Sequence, residues 1–172
     1  MTAKNFVIAD DEIVIYPSMF TRYIFYLLFF FFIACLTGGS YILAESANSN
    51  SLSPGSYLLF LNGLFFLVLS LFAYARMRRR IIIDRSKQLI LRKSVFGVRL
   101  LARFSELSTV KKSYLVAHGS AHVNYYYAIQ FKDPSAAKEI ILTNSYTKSN
   151  HPKLHGFEAQ VLPVLNQWLL ER

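Results

Sequence analysis

The sequence predicts a membrane α + β chain: a two-helix transmembrane hairpin followed by an antiparallel β-sandwich or barrel that closes on a C-terminal helix. Three observations predict it. Two long apolar stretches without a charged residue occupy 23–44 and 57–75. The second ends in Arg76, Arg78, Arg79 and Arg80, four arginines in five positions, each of which would cost roughly 2.5–3.5 kcal/mol at a bilayer centre. Beyond them the pattern changes to short alternating runs separated by turn residues, as in antiparallel sheets.

Residues 1–19 form an N-terminal strand segment. Two β-branched runs, 5–9 and 12–16, flank Asp10-Asp11 in a hairpin pattern, and Pro17 closes the second. Residues 13–16 are expected to pair with the sheet that follows the helices, since a sheet edge is normally covered or paired.

Residues 20–79 form the helical hairpin, each stretch meeting the roughly 20 apolar residues a span requires. Tyr23, Tyr26 and Tyr41 sit near the ends of the first, where aromatic belts anchor helices. The 45–56 segment is rich in Ser and Asn, lacks Lys and Arg, and reads as an external loop. Asn62 and Gly63 are the expected interhelical packing positions, with Asn62 reaching across to the first helix.

Charge follows the same division. The net formal charge is +9 over 172 residues, and from Arg76 onward 17 Lys and Arg stand against 6 Asp and Glu. The positive-inside rule then puts both termini on the cytoplasmic side of the membrane. A signal peptide is not expected, because the leader carries Asp10, Asp11 and Glu12 and the first apolar run is too long. Cys35 is the single cysteine, so no internal disulfide can form. The basic balance has no nucleic-acid recognition motif beside it, and nucleic acid is not an expected partner.

Residues 80–172 form the cytosolic domain. Strands are expected at 81–84, 89–95, 98–104, 108–117, 123–132 and 138–144, with turns at 85–88 and 133–136. Val98, Leu100, Ala102 and Phe104 share one face of the third; Val123, Tyr125, Tyr127, Ile129 and Phe131 share one face of the fifth. Phe157, Val161, Val164, Leu165 and Trp168 recur at helical spacing, giving one C-terminal helix kinked or begun near Pro163, with Trp168 as its main core contact.

This order of elements resembles the pleckstrin-homology-like (PH-like) fold. The residues that carry the resemblance are the 81–84 strand with its turn, 104–110, 126–131, 138–142 and the helix around 165–170. Two spans before such a domain are similar to small bacterial membrane proteins with PH-like cytosolic domains. The resemblance covers 80–172. It implies a binding module and transfers no phosphoinositide site.

No nucleophile elbow, carboxylate pair or Gly-rich phosphate loop is present, so no catalytic residue and no cofactor is expected. His118 and His122, and His151 and His155, are spaced as on a helix but fall in loops, so no metal site is expected. The candidate contact set for anionic headgroups or a partner is basic: Arg76, Arg78, Arg79, Arg80, Arg92, Lys93, Arg99, Arg103, Lys111 and Lys112. The expected function is a non-enzymatic inner-membrane protein whose cytosolic domain binds a protein partner or the anionic membrane surface, with oligomers open. The alternative is an immunity protein that neutralises a cognate secreted bacterial toxin.

Overall fold

The computed structural model describes residues 5–48, 54–116, 123–133 and 139–171. The chain divides into two compact units. One is discontinuous and joins Met1–Pro17 to Arg79–Arg172; the other is Ser18–Arg78, inserted between them. The N-terminal strands thus belong to the β unit and do not form a segment of their own.

The inserted unit is a helical pair, α1 (Met19–Asn48) and α2 (Pro54–Met77). Their mean hydropathies are 2.1 and 2.2, and both are long and apolar enough to cross a membrane. Residues 45–48, expected in the loop, continue α1, where Ser46 donates its hydroxyl to the Ile42 carbonyl. Pro54 opens α2, a position where its missing N–H costs nothing. The helices pack through aromatic pairs, Phe31 on Phe66 at 5.3 Å and Phe25 on Tyr74 at 5.6 Å. Gly63 is buried, and a Cβ there would lie 3.3 Å from that of Cys35. Asn62 corrects the expectation that it reaches across: it is exposed, and its Nδ2 donates to the Leu58 carbonyl of its own helix at 2.8 Å. An i−4 bond within the helix satisfies the amide locally.

In the β unit, β1 (Phe6–Ile8), β2 (Glu12–Ile15), β3 (Arg80–Asp84), β4 (Leu89–Ser94) and β5 (Gly97–Arg103) form one antiparallel sheet in that order. Pairing of β2 with β3 sets Ile13 opposite Ile83 and Ile15 opposite Ile81. The strand that follows the helices therefore finds its neighbour in the segment that precedes them. Because side chains alternate between faces, Ile13, Ile83, Ile90 and Ala102 line up across the inner face and are almost completely buried. The next inner row is Phe6, Ile15, Ile81, Arg92 and Arg99.

The ladder slips by one residue between β4 and β5: Ala102 faces Ile90, whereas Leu100 faces Leu91. Leu101 is the extra residue of a bulge, and a bulge reverses the facing of what lies beyond it. The expected face of Val98, Leu100, Ala102 and Phe104 is thereby split. Ala102 and Phe104 are buried, Val98 and Leu100 are exposed on the outer face, and Arg99 falls in the inner-face row opposite Arg92 while remaining exposed.

A 3-10 turn at Phe104–Glu106 leads into a second sheet of β6 (Leu107–Val116), β7 (Val123–Phe131) and β8 (Ile140–Ile141), in that order. β8 is shorter than the expected 138–144; Lys138 and the centre of the 133–136 turn lie outside the described residues. The ladder breaks because the Thr143 hydroxyl accepts the Tyr127 N–H at 2.9 Å, where a backbone carbonyl would stand. Pairing resumes in an isolated bridge of Tyr125 with Tyr146.

The expected single C-terminal helix is two, α3 (Pro152–Gln160) and α4 (Leu162–Leu170). Pro163 has no N–H for the Ala159 carbonyl, so the first helix cannot run on. Leu154, Phe157, Val161, Leu165, Trp168 and Leu169 bury their side chains with both sheets in one core. Arg85 ties the β3–β4 turn to that core: its guanidinium lies over Trp168 at 5.9 Å, 2.6 Å from Glu171 and 3.9 Å from Asp11.

Candidate functional site: a basic sheet end and its pocket

The ten basic candidates do not form one surface. Arg76 and Arg78 belong to the helical unit, where the Arg78 guanidinium lies over the Tyr74 ring at 5.3 Å. Arg103 lies opposite Leu89 at the far end of β5. Lys111 and Lys112 are on β6 in the other sheet, with the Lys112 ammonium 5.9 Å from the Tyr127 ring. The remaining five, Arg79, Arg80, Arg92, Lys93 and Arg99, collect at one end of the first sheet.

Register explains the collection. Arg80 stands opposite Lys93 on the outer face, and Arg92 opposite Arg99 on the inner face. Like charges directly opposite destabilise a ladder. Among the described residues the ion pairs are those of Arg85 and Lys87, so no carboxylate relieves these five. The Arg80 guanidinium carbon lies 5.1 Å from the Tyr16 ring. One residue beyond Lys93 and Ser94 is the hairpin tip, Val95-Phe96, with Gly97 at φ +122°. Only glycine takes that backbone conformation without strain. Phe96 is 89% exposed and Val95 49%. The chain departs to α1 after Pro17 and returns at Arg79, at this same Ile15–Ile81 end of the ladder.

Behind the basic rim lies a pocket of about 400 Å³ within the β unit. Its apolar lining includes Phe6, Ile15, Ile81, Leu142 and Phe157; its basic lining is Arg79, Arg80, Arg92 and Lys153. Asn5, Thr143, Asn144, Tyr146 and Gln160 add neutral polar groups, and none of the described lining residues is Asp or Glu. Gly156 of α3 also lines it, and a Cβ built there meets no atom within 4 Å.

The other polar clusters have structural roles. His151 accepts the Lys153 N–H at Nδ1 (3.3 Å) and stacks on Tyr146 at 4.1 Å, so it caps α3. His118 and His122 lie outside the described residues. Glu139 accepts hydrogen bonds from the Tyr126 and Ser113 hydroxyls on neighbouring strands, and that contact raises the Tyr126 phenol above its ordinary value. Burial would raise the Asp84 carboxyl, but hydrogen bonds from the Lys87 side chain and N–H and the Ser86 hydroxyl hold it below the usual value. These bonds order the β3–β4 turn.

Sequence reasoning picked out the five cations but not the pocket. Asn5, Thr143, Lys153 and Gly156 come from four distant stretches, and no spacing links them. No family model, curated protein or solved structure matches the chain.

Proposed function

We propose that the chain is a membrane-anchored, non-enzymatic binding protein whose β unit engages the anionic inner surface of the membrane that its helices span. Both termini are cytoplasmic in this reading, and the membrane is a bacterial inner membrane. Only 6% and 11% of the most apolar windows of α1 and α2 are buried, whereas a core helix of a water-soluble protein hides most of its surface. The β unit has a sheet containing β2–β5, a second sheet β6–β8 and a C-terminal helical segment, an order that supports the PH-like resemblance.

The observation that carries the reading is the β4–β5 hairpin. An exposed Phe96 stands at its tip above Arg92, Lys93 and Arg99, all without carboxylate partners among the described residues. An exposed apolar ring beside a basic face can bury at the boundary of headgroups and acyl chains, and each Lys or Arg near anionic lipid contributes about 1 kcal/mol. The test uses the full chain in nanodiscs of neutral or anionic phospholipid. Amide exchange across residues 92–99 should slow in anionic discs and recover in 1 M salt, where the Debye length falls to about 3 Å. Phe96→Ser with Lys93→Gln should abolish the difference. Equal exchange in both discs would overturn the reading and leave the charge as a topology signal.

A second reading, a protein partner, is favoured by the outer face of the same sheet. There Val7, Leu100 and Val98 are exposed beside the half-buried Val14, Ile82 and Leu91. An immunity role belongs to this reading, with a secreted toxin as the partner.

A further inference from the structure

The pocket behind the basic rim has a composition that membrane-surface attraction alone does not require. A surface that only meets headgroups needs exposed cations and no cavity. Here four cationic residues are among those that line about 400 Å³ of space with Phe6, Ile15, Ile81 and Phe157. That volume lies within the roughly 300–1,000 Å³ of small-molecule sites, which are typically apolar with a few placed polar groups.

The two halves of the lining select for two chemistries at once. Arg79, Arg80, Arg92 and Lys153 have no carboxylate partner among the described residues, so a bound anion would relieve repulsion that the chain leaves unrelieved. A phosphate or carboxylate alone would satisfy them but leave the apolar floor in water. A neutral hydrocarbon would cover the floor but leave the cations uncompensated. Gly156 fits the same account. Glycine inside a helix costs about 0.8–1.0 kcal/mol relative to alanine. Its φ is not in the left-handed region, and no neighbour would obstruct a side chain. Neither backbone conformation nor packing therefore calls for glycine, and its missing side chain leaves that part of the pocket wall open.

We infer that this pocket binds one anionic amphiphile, with its phosphate or carboxylate at the Arg79, Arg92 and Lys153 rim and its alkyl chain over Phe6, Ile15 and Phe157. This goes beyond contact of the hairpin with the bilayer surface, because the ligand's alkyl chain lies against the protein and not among lipid tails. Such a molecule is either a membrane lipid or a soluble alkyl acid or phosphate; the head and tail chemistry is shared.

The test uses the full chain in neutral nanodiscs, with empty discs to subtract partitioning, and octyl phosphate, inorganic phosphate and octanol as probes. Octyl phosphate should bind with a stoichiometry of one, at least tenfold tighter than either of the others. Gly156→Leu should weaken it at least tenfold while leaving the unfolding midpoint, read from Trp168 fluorescence, unchanged or higher. Lys153→Gln should weaken it severalfold. If Gly156→Leu lowers the midpoint, Gln160→Trp, at an exposed rim position, serves as the second occluding variant. Phe96→Ser should leave binding intact, which separates this site from the hairpin's contact with the membrane. Retained lysophosphatidic acid in mass spectra of the purified chain would assign a lipid source, and its absence with octyl phosphate bound a soluble one. Equal affinity for inorganic phosphate, or full binding by folded variants with the pocket filled, would overturn the inference.

Discussion

Tyr127 joins the two halves of the β unit's core at the level of one side chain. Its ring stacks on Phe157 of α3 at 5.4 Å, and it is 3% exposed. Burial first, and then the nearby Glu158 carboxylate, push its phenol up to about 12. The folded chain therefore keeps a proton that the unfolded chain loses near pH 10, and the sign of the linkage follows. The stability contributed is fully present below pH 10 and is lost as pH rises toward 12, on the order of 2–3 kcal/mol. Denaturation of the full chain at pH 9.5, 10.5 and 11.5, followed by Trp168 fluorescence, should show this decline. Tyr127→Phe should be flatter across the same window. Parallel curves for the two proteins would show that Tyr127 does not carry the effect.

At the scale of elements, the strands were legible in the sequence and the facing of one of them was not. The strand on 81–84 and the turn after it were readable because Ile-Ile-Ile meets the polar run 85–88, and in the structure Asp84 accepts the Lys87 N–H. The hairpin before the helices was readable because two β-branched runs flank Asp10-Asp11. On β5 the alternation of Val98, Leu100 and Ala102 was real, but it misled. An inserted Leu101 is indistinguishable from an in-phase residue when its neighbours are also apolar, and only the partner strand reveals the slip. The Pro163 break was legible as a doubt about one helix and resolved as two. The bulge makes opposite predictions for neighbouring positions. Leu100→Thr, on the exposed outer face, should change stability by less than about 0.5 kcal/mol. Ala102→Leu, 2% exposed, should cost about 1–3 kcal/mol through overpacking. Equal and large losses at both positions would mean that Leu100 faces the core and that the bulge is absent.

At the scale of the whole molecule, the β unit is encoded in two pieces. Phe6, Ile13 and Ile15 come from before the helices and are buried with Ile83, Phe157 and Trp168 from after them. Fully burying side chains of this size contributes about 1.5–3 kcal/mol each, and a folded domain has only about 5–15 kcal/mol in total. Residues 79–172 without residues 1–17 should therefore fail to fold cooperatively. Ile13→Ala should cost the intact chain about 2–5 kcal/mol, as read by Trp168, which lies more than a hundred positions away in sequence. The converse test is sharper. Ile15 and Ile81 are direct partners on adjacent antiparallel strands, so a short turn can replace everything between Pro17 and Arg79. Residues 1–17 joined to 79–172 through a Gly-Asn-Gly linker should give a water-soluble domain with one cooperative unfolding transition. A folded 79–172 fragment that gains nothing from the N-terminal hairpin would refute the two-piece core. Aggregation of the joined chain together with folding of the full-length protein would show instead that the β unit depends on its helices for more than connection.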